Sequence, residues 1–529
     1  MSQLGFQRRR PVRWLTPRVL ISTGIKSMLA GIFGSYADKR ELQQSLPSPV
    51  HACGDDEVWF DFVADLGDGF DATYSVAFLL AAPHLEIDGH TLPRGQMLVM
   101  GGDEVYPAAT YQAYEDHTKG PYRTALPSAD DPPLLFALPG NHDWYDGLTS
   151  FLRTFAQQRA IGGWRTEQAR SYFAVELPHR WWLFAVDTQF GEYIDTPQLE
   201  YFRAAAERLA GGDAVILCTP TPAWAYAPDD HRGYDVIQFF DREIIRPTGA
   251  RIRVMLSGDS HHYARYSGSD ERITCGGGGA YTSATHLLPE ELDLPPQEAR
   301  IPAPVETFSL EATYPSRTES AKLAAGIFRL PFTNPGLWGL TGVLQTILAV
   351  FLQFGLTVEL DGAFGELATW APTAFMVVLV AFAAFAFARL GPPRPGRALA
   401  SVLHTVAHLA LAALWAAVLL WMGGAAAVWM ALLVTPMLIG FLDAELVALY
   451  LLVASRWDIN TNEAFAGQGI EDYKSFLRMH ITRTGELEIY PVKVPRICRS
   501  WRPNPGTPRL VPDEELTAEL IEDVIRVSI

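Results

Sequence analysis

Leu138-Pro139-Gly140-Asn141-His142-Asp143-Trp144-Tyr145 is the stretch on which the reading of this chain turns. The apolar run Leu134, Leu135, Phe136, Ala137 and Leu138 leads into it and reads as a buried strand that Pro-Gly ends in a turn. Ligands in α/β sheets sit at such strand ends. Asn141 could offer a neutral oxygen to a metal, His142 could carry a proton, and Asp143 could orient that histidine. The competing reading is a capped turn, in which Asn or Asp bonds its own backbone.

Working outward, residues 55–315 read as α/β. Strand-like runs are Val58 to Ala64, Met97 to Met100, Leu134 to Leu138, Trp181 to Val186, Ala214 to Cys218 and Ile252 to Leu256. Helical patterns lie between them, as at Thr73 to Leu85 and Pro197 to Leu209. Gly276-Gly277-Gly278-Gly279 lacks the spacing of a dinucleotide fingerprint and reads as a tight turn, and there is no phosphate-binding P-loop.

Residues 330–455 differ in kind. Leu330 to Val358, Leu367 to Ala388 and Ala398 to Leu442 carry no charge. With Gly423-Gly424 dividing the last run, four spans are predicted near 337–357, 368–388, 400–422 and 425–443, against the alternative of buried helices in a soluble core. Asp443 and Glu445 would mark the end of the fourth span. His404 and His408 share one face of the third, where interhelical hydrogen bonding is favoured over a cofactor role. The loop basic residues Arg389, Arg394 and Arg397 place the second loop, and with it both soluble flanks, on the cytoplasmic side.

The N-terminal segment is basic (Arg8, Arg9, Arg10, Arg13, Arg18, Lys26), with no acidic residue before Asp38. Ile21, Ile25, Met28, Leu29, Ile32, Phe33 and Tyr36 recur at helical spacing. An interfacial amphipathic helix is expected, with a helix packed on its own domain or an organelle transit peptide as alternatives. Downstream of the spans, Ile470 to Ile481 looks helical and Gly485 to Val494 alternates like a strand.

Net charge is −17, which argues against a nucleic-acid partner. The four cysteines are widely spaced and form no CxxC pair, so reduced thiols are the simplest account. Charged residues are only 19% of the 529, a low share that the uncharged C-terminal runs explain.

Four polar signatures follow apolar runs in order. They are Asp65-Leu66-Gly67-Asp68, Gly102-Asp103-Glu104-Val105-Tyr106, Gly140-Asn141-His142-Asp143 and Gly258-Asp259-Ser260-His261-His262. Carboxylates, an amide and imidazoles together suit Mn, Fe or Zn, and one bridging carboxylate would make a two-metal site.

These blocks resemble the calcineurin-like metallophosphoesterases, with first motifs similar to the purple acid phosphatase pattern, over residues 55–290. Leu183 to Gln189 with Gln198-Leu199 forms the strand block between motifs. The resemblance implies an α/β fold, an αββα sandwich, here joined to an all-α transmembrane bundle. It implies two divalent or mixed-valence metal ions: Asp65 binding the first, Asp103 bridging, Tyr106 adding a phenolate, Asn141 binding the second, His261 binding the first. His142 would protonate the leaving oxygen or steady the phosphoryl charge, oriented by Asp143. Two of the family's histidines are missing: Asp259 stands for one, and Thr219-Pro220-Thr221-Pro222 occupies the place of the other. Asp259 can still ligate, and Asp68, His262 and the more distant His231 are candidates to compensate.

The expected organisation is 1–50 as a basic amphipathic segment, 51–320 as a metallophosphoesterase-like domain, 330–456 as four transmembrane helices, and 457–529 as a soluble C-terminal segment. The expected activity is hydrolysis of a phosphate mono- or diester by an acidified, metal-bound water. The partners would be that substrate and the lipid bilayer. The alternatives are a degenerate domain acting as a membrane-bound sensor or scaffold, and a transporter or channel regulated by the soluble part.

Overall fold

The computed structural model describes residues 4–33, 40, 43–188, 193–358, 361–390 and 394–529. Tyr36, Asp38 and Gln189 of the sequence reading lie outside these. The chain divides into two compact units. One holds residues 1–12, 23–319 and 470–529; the other holds 13–22 and 320–469.

The first unit contains two nine-stranded sheets. In one, the strands Val58–Val63, Met97–Met100 and Leu134–Ala137 run parallel side by side. In the other, Trp181–Ala185, Ala214–Cys218 and Arg251–Ser257 do the same. Alternate side chains of a strand point to opposite faces. Phe60, Phe62, Val99 and Phe136 of the first sheet therefore share one core with Leu183, Ile216, Val254 and Leu256 of the second. The opposite face of the first sheet (Leu98, Met100, Leu135) packs with Tyr74, Leu80 and Phe151 from helices. The opposite face of the second (Phe184, Val215, Leu217) packs with Phe202, Ile237 and Phe240. Burial on both faces is why these strands read as continuous apolar runs rather than alternating ones.

Several segments differ from the sequence reading. Residues 474–481 form a strand, Lys474–Ile481, not a helix. It pairs antiparallel with Val58–Val63 on one side and Leu487–Val494 on the other. Its side chains are buried on both faces, so the period of two was hidden and the pattern mimicked a helix. At the centre, Arg478 Nε lies 2.8 Å from Asp61 Oδ1, both side chains buried. The helix expected from Thr73 runs instead over Phe70–Ala81, and Leu85 belongs to the strand His84–Ile87. Gly276–Gly279 is not a turn but a run laid against the first strand's end. Gly278 N–H donates to Ala64 O at 2.9 Å, and a Cβ on Gly276 would lie 2.4 Å from Asp65 Oδ2.

Among the described residues of the second unit, four helices are long and apolar enough to cross a membrane: Pro335–Thr357, Gly362–Ala388, Arg397–Met422 and Gly424–Trp457. Gly423 and Gly424 both adopt positive φ, which breaks the last run where the sequence reading divided it. Gly342 and Gly440 pack so closely that a Cβ on Gly440 would meet Gly342 Cα at 2.4 Å, the small-residue contact typical of membrane helices. Phe364, Phe382, Leu414 and Trp421 face outward, as lipid-facing side chains do. The fourth helix continues past Asp443, which is buried and bonded inside the bundle rather than marking its end. A hydrogen-bonded carboxylate is tolerated there because its partners come from neighbouring helices.

The N-terminal helix spans Pro17–Phe33, and Ile21, Ile25, Met28, Leu29 and Ile32 are all exposed on it.

Candidate metal centre

Asp65, Asp103, Asn141 and Asp259 each follow the carboxyl end of a strand. Asp65, Asp103 and Asp259 all hold the left-handed backbone conformation (φ 57°, 54° and 67°). Such strained positions gather at functional sites, though Asp tolerates them better than most residues. Asp65 N–H donates to Gly102 O of the neighbouring strand end in its own sheet (2.9 Å), and Ala280 N–H, beyond a strand of the other sheet, donates to Asp65 O (2.8 Å). Gly140 packs against Asp103 so tightly that a Cβ would fall 2.2 Å from Oδ1.

The donor atoms converge on one phenol. Tyr106 Oη lies 2.8 Å from Asp65 Oδ1, 3.1 Å from Asp103 Oδ2 and 3.0 Å from His261 Nε2. His261 Nε2 is 3.5 Å from Asp65 Oδ1. Neighbouring ligands of one octahedral ion with bonds of about 2.1 Å are about 3 Å apart, so these spacings fit a single coordination sphere. Among the described residues, His, Cys, Asp and Glu side chains alone form no metal-binding group of three or more; the phenol is what joins them. Among the described residues, the buried oxygens without a hydrogen-bond partner include Asp65 Oδ2, Glu104 Oε2 and Asn141 Oδ1, all of types that ligate hard or borderline cations. The first position therefore fits a metal. Asn141 and Asp259 are of the right type for a second.

Electrostatics agree. Burial, then the charge of Asp259, raises the Asp65 carboxyl well above its ordinary value. Burial, then Asp65, Asp143 and Asp259, does the same to Asp103. Buried carboxylates that oppose each other's ionisation are relieved by a cation.

His142 donates its backbone N–H to Asp103 Oδ1 (2.9 Å), and its Nδ1 bonds Pro107 O (2.8 Å). A carbonyl only accepts, so Nδ1 carries the proton. Burial lowers the imidazole to about 4. The expectation that Asp143 orients this imidazole is corrected: Pro107 does so. Asp143 accepts from Gly140 N–H (2.9 Å), from Glu104 N–H (3.3 Å) and from the Tyr114 hydroxyl. It caps the short helix Asn141–Trp144 and ties the third block to the second.

The three compensating candidates make hydrogen bonds of their own. Asp68 accepts from Val12 N–H (2.6 Å). His262 Nδ1 bonds Ser283 Oγ (3.1 Å). His231 Nδ1 bonds Asp235 Oδ2 (2.6 Å). The residue that does approach Asp259 is Tyr226, whose hydroxyl donates to Asp259 Oδ2 (2.7 Å) from the helix that follows Thr219-Pro220-Thr221-Pro222. Lys474 is also new here: fully buried, with Nζ donating to Ala280 O (2.5 Å) and Thr282 Oγ1 (3.1 Å). Nothing local in the sequence marked either. Glu104, whose Oε1 accepts from Gly102 N–H (3.2 Å), lay within a quoted block and was passed over.

No family model matches the chain, and no curated protein does. Among solved structures it is similar to GAP50, described as the anchor in the inner membrane complex of Plasmodium, at a TM-score of 0.32 and 13% identity, over 43% of this chain and 74% of that one. It is also similar to PhoD, at a TM-score of 0.27 and 11% identity, over 44% of this chain and 59% of PhoD.

Proposed function

We propose that the chain is a membrane-anchored, metal-dependent phosphoesterase of the calcineurin-like type, its two sheets and their outer helices being that family's αββα sandwich. The observation that carries this reading is the convergence of Asp65, Asp103 and His261 on the Tyr106 hydroxyl. Asp65, Asp103, Tyr106 and His261 would hold the first of two Mn, Fe or Zn ions, with Asp103, Asn141 and Asp259 available to the second. Bound there, such ions acidify water for attack on phosphorus and neutralise phosphoryl charge. The chain's own part is to place His142 beside that centre. Asp103 fixes its backbone and Pro107 holds the Nδ1 proton, so a proton passed to the departing oxygen would come from Nε2 of the imidazolium form. Asp143 acts through position, holding the Gly140–Trp144 turn against Glu104.

The four apolar helices support a bilayer as partner, and the loop arginines support a cytoplasmic site. Pairing of Phe62 with Leu477 supports both soluble flanks lying on one side of the membrane. The second reading is a degenerate sensor or scaffold, favoured by the loss of two family histidines. Metal analysis of the full chain, followed by hydrolysis of a generic phosphodiester with Mn, Fe or Zn, separates the two. At least one equivalent of metal with turnover supports the enzyme. Less than one equivalent and no turnover supports the scaffold.

A further inference from the structure

The helix bundle holds an ionisable network of its own. His404 Nδ1 bonds Ala384 O of the second span (3.1 Å). His404 Nε2 faces His408 Nε2 at 2.8 Å. His408 Nδ1 lies 2.6 Å from Asp443 Oδ1 of the fourth helix, and Gln345 Nε2 of the first span donates to the same oxygen (2.8 Å). All four helices meet in this chain of contacts, and His404, His408 and Asp443 are buried.

Counting protons shows what closes it. A carbonyl only accepts, so His404 Nδ1 carries a proton and neutral His404 has a bare Nε2. His408 Nε2 must then carry the proton of the contact between the rings. One more proton lies between His408 Nδ1 and Asp443. Held on nitrogen, it makes an imidazolium beside a carboxylate; held on oxygen, both groups are neutral. Either way the network holds three protons and no net charge. Removing one leaves two bare Nε2 atoms 2.8 Å apart and an unbalanced carboxylate among apolar helices.

We propose that Asp443, His408 and His404 form a proton-binding site inside the bundle, exchanging one proton with water and clamping the four helices in its loaded form. Other groups bear on it from the neighbouring helices. From the first span comes Gln345, and from the second the Ala384 carbonyl with the Phe387 ring, 6.0 Å from His404. On the fourth helix Tyr450 stacks on His404 at 4.1 Å, and Arg397 and Glu463 act electrostatically on that phenol. Glu445 is the neighbouring carboxylate on the fourth helix and is half-buried. The inference is independent of the phosphoesterase reading.

The test uses the full chain in lipid nanodiscs with isotopically labelled imidazole nitrogens, titrated across about pH 5 to 9. The two buried imidazoles should titrate as a coupled pair that loses one proton. The loaded form is the stabilised one, so the bundle's thermal stability should fall as pH rises through that step. Asp443→Asn supplies an amide that can still bond His408 but no carboxylate, and should move the step by more than tenfold in proton concentration. Should that variant fail to fold, His404→Gln keeps an acceptor for His408 and should abolish the pairing. Unchanging protonation of both imidazoles in the wild type, or two independent ordinary titrations indifferent to Asp443→Asn, would overturn the proposal and leave a fixed set of hydrogen bonds.

Discussion

Tyr226 donates its hydroxyl to Asp259 at 2.7 Å, and Asp259 is a carboxylate where the family resemblance leads one to expect a histidine. Replacing nitrogen donors with oxygen shifts a site toward harder cations. Asp259→His should therefore move preference toward Zn over Mn or Mg by on the order of tenfold, read by competitive metal loading and mass analysis. The backbone at position 259 is left-handed (φ 67°), a conformation histidine tolerates. An unchanged metal preference would place Asp259 outside the coordination sphere.

His142 and Asp143 are adjacent but should fail differently. His142→Ala should slow turnover by about 10²–10⁴ while leaving metal content near normal, as expected for loss of a proton donor. Asp143→Asn keeps the size of the cap but weakens its bonds to Gly140 N–H and Glu104 N–H, so it should lower thermal stability as well as turnover. Metal loss from His142→Ala would instead make the imidazole a ligand.

Lys474 carries a pH signature. Burial lowers its ammonium from 10.5 to about 8. Between those values the unfolded chain binds a proton that the folded chain does not, so stability rises with pH across that window. The full effect is about 3 kcal/mol. Lys474→Met should flatten the rise relative to wild type in thermal melts between about pH 8 and 10.

The Asp61–Arg478 pair joins the first strand to a strand from the far end of the chain. Removing one member leaves a buried charge unpaired, so Asp61→Leu should cost about 3–5 kcal/mol. Adding Arg478→Leu should restore most of it. Chemical unfolding followed by near-ultraviolet circular dichroism of the full chain gives the comparison.

How much of this was legible in the sequence follows from how local each feature is. Asp65, Asp103, Tyr106 and His261 could be placed because each sits within a few residues of an apolar strand end, and strand ends in such sheets collect at one edge. The four long apolar helices were legible because uncharged runs of that length stand out in the sequence. Tyr226 and Lys474 were not legible, since each reaches the site through a tertiary contact no local pattern encodes. Asp443 was misread for a related reason. A carboxylate near the end of an apolar run looks like a boundary until its partners, Gln345 and His408, are brought from two other helices. The pairing of His142 with Pro107 rather than Asp143 is likewise a matter of ring direction, which residue order does not fix.

The strand Lys474–Ile481 has a consequence for how this molecule is made. It completes the sheet beside Val58–Val63, yet it leaves the ribosome more than four hundred residues later. At about 5–20 residues per second, the earlier strand waits roughly 20–80 seconds with one edge open while the membrane helices are synthesised. An open edge invites pairing with other chains. The soluble domain must therefore be shielded during translation or begin folding only after the membrane segment has left the ribosome, which makes insertion of the bundle and closure of the sheet successive events in one assembly line.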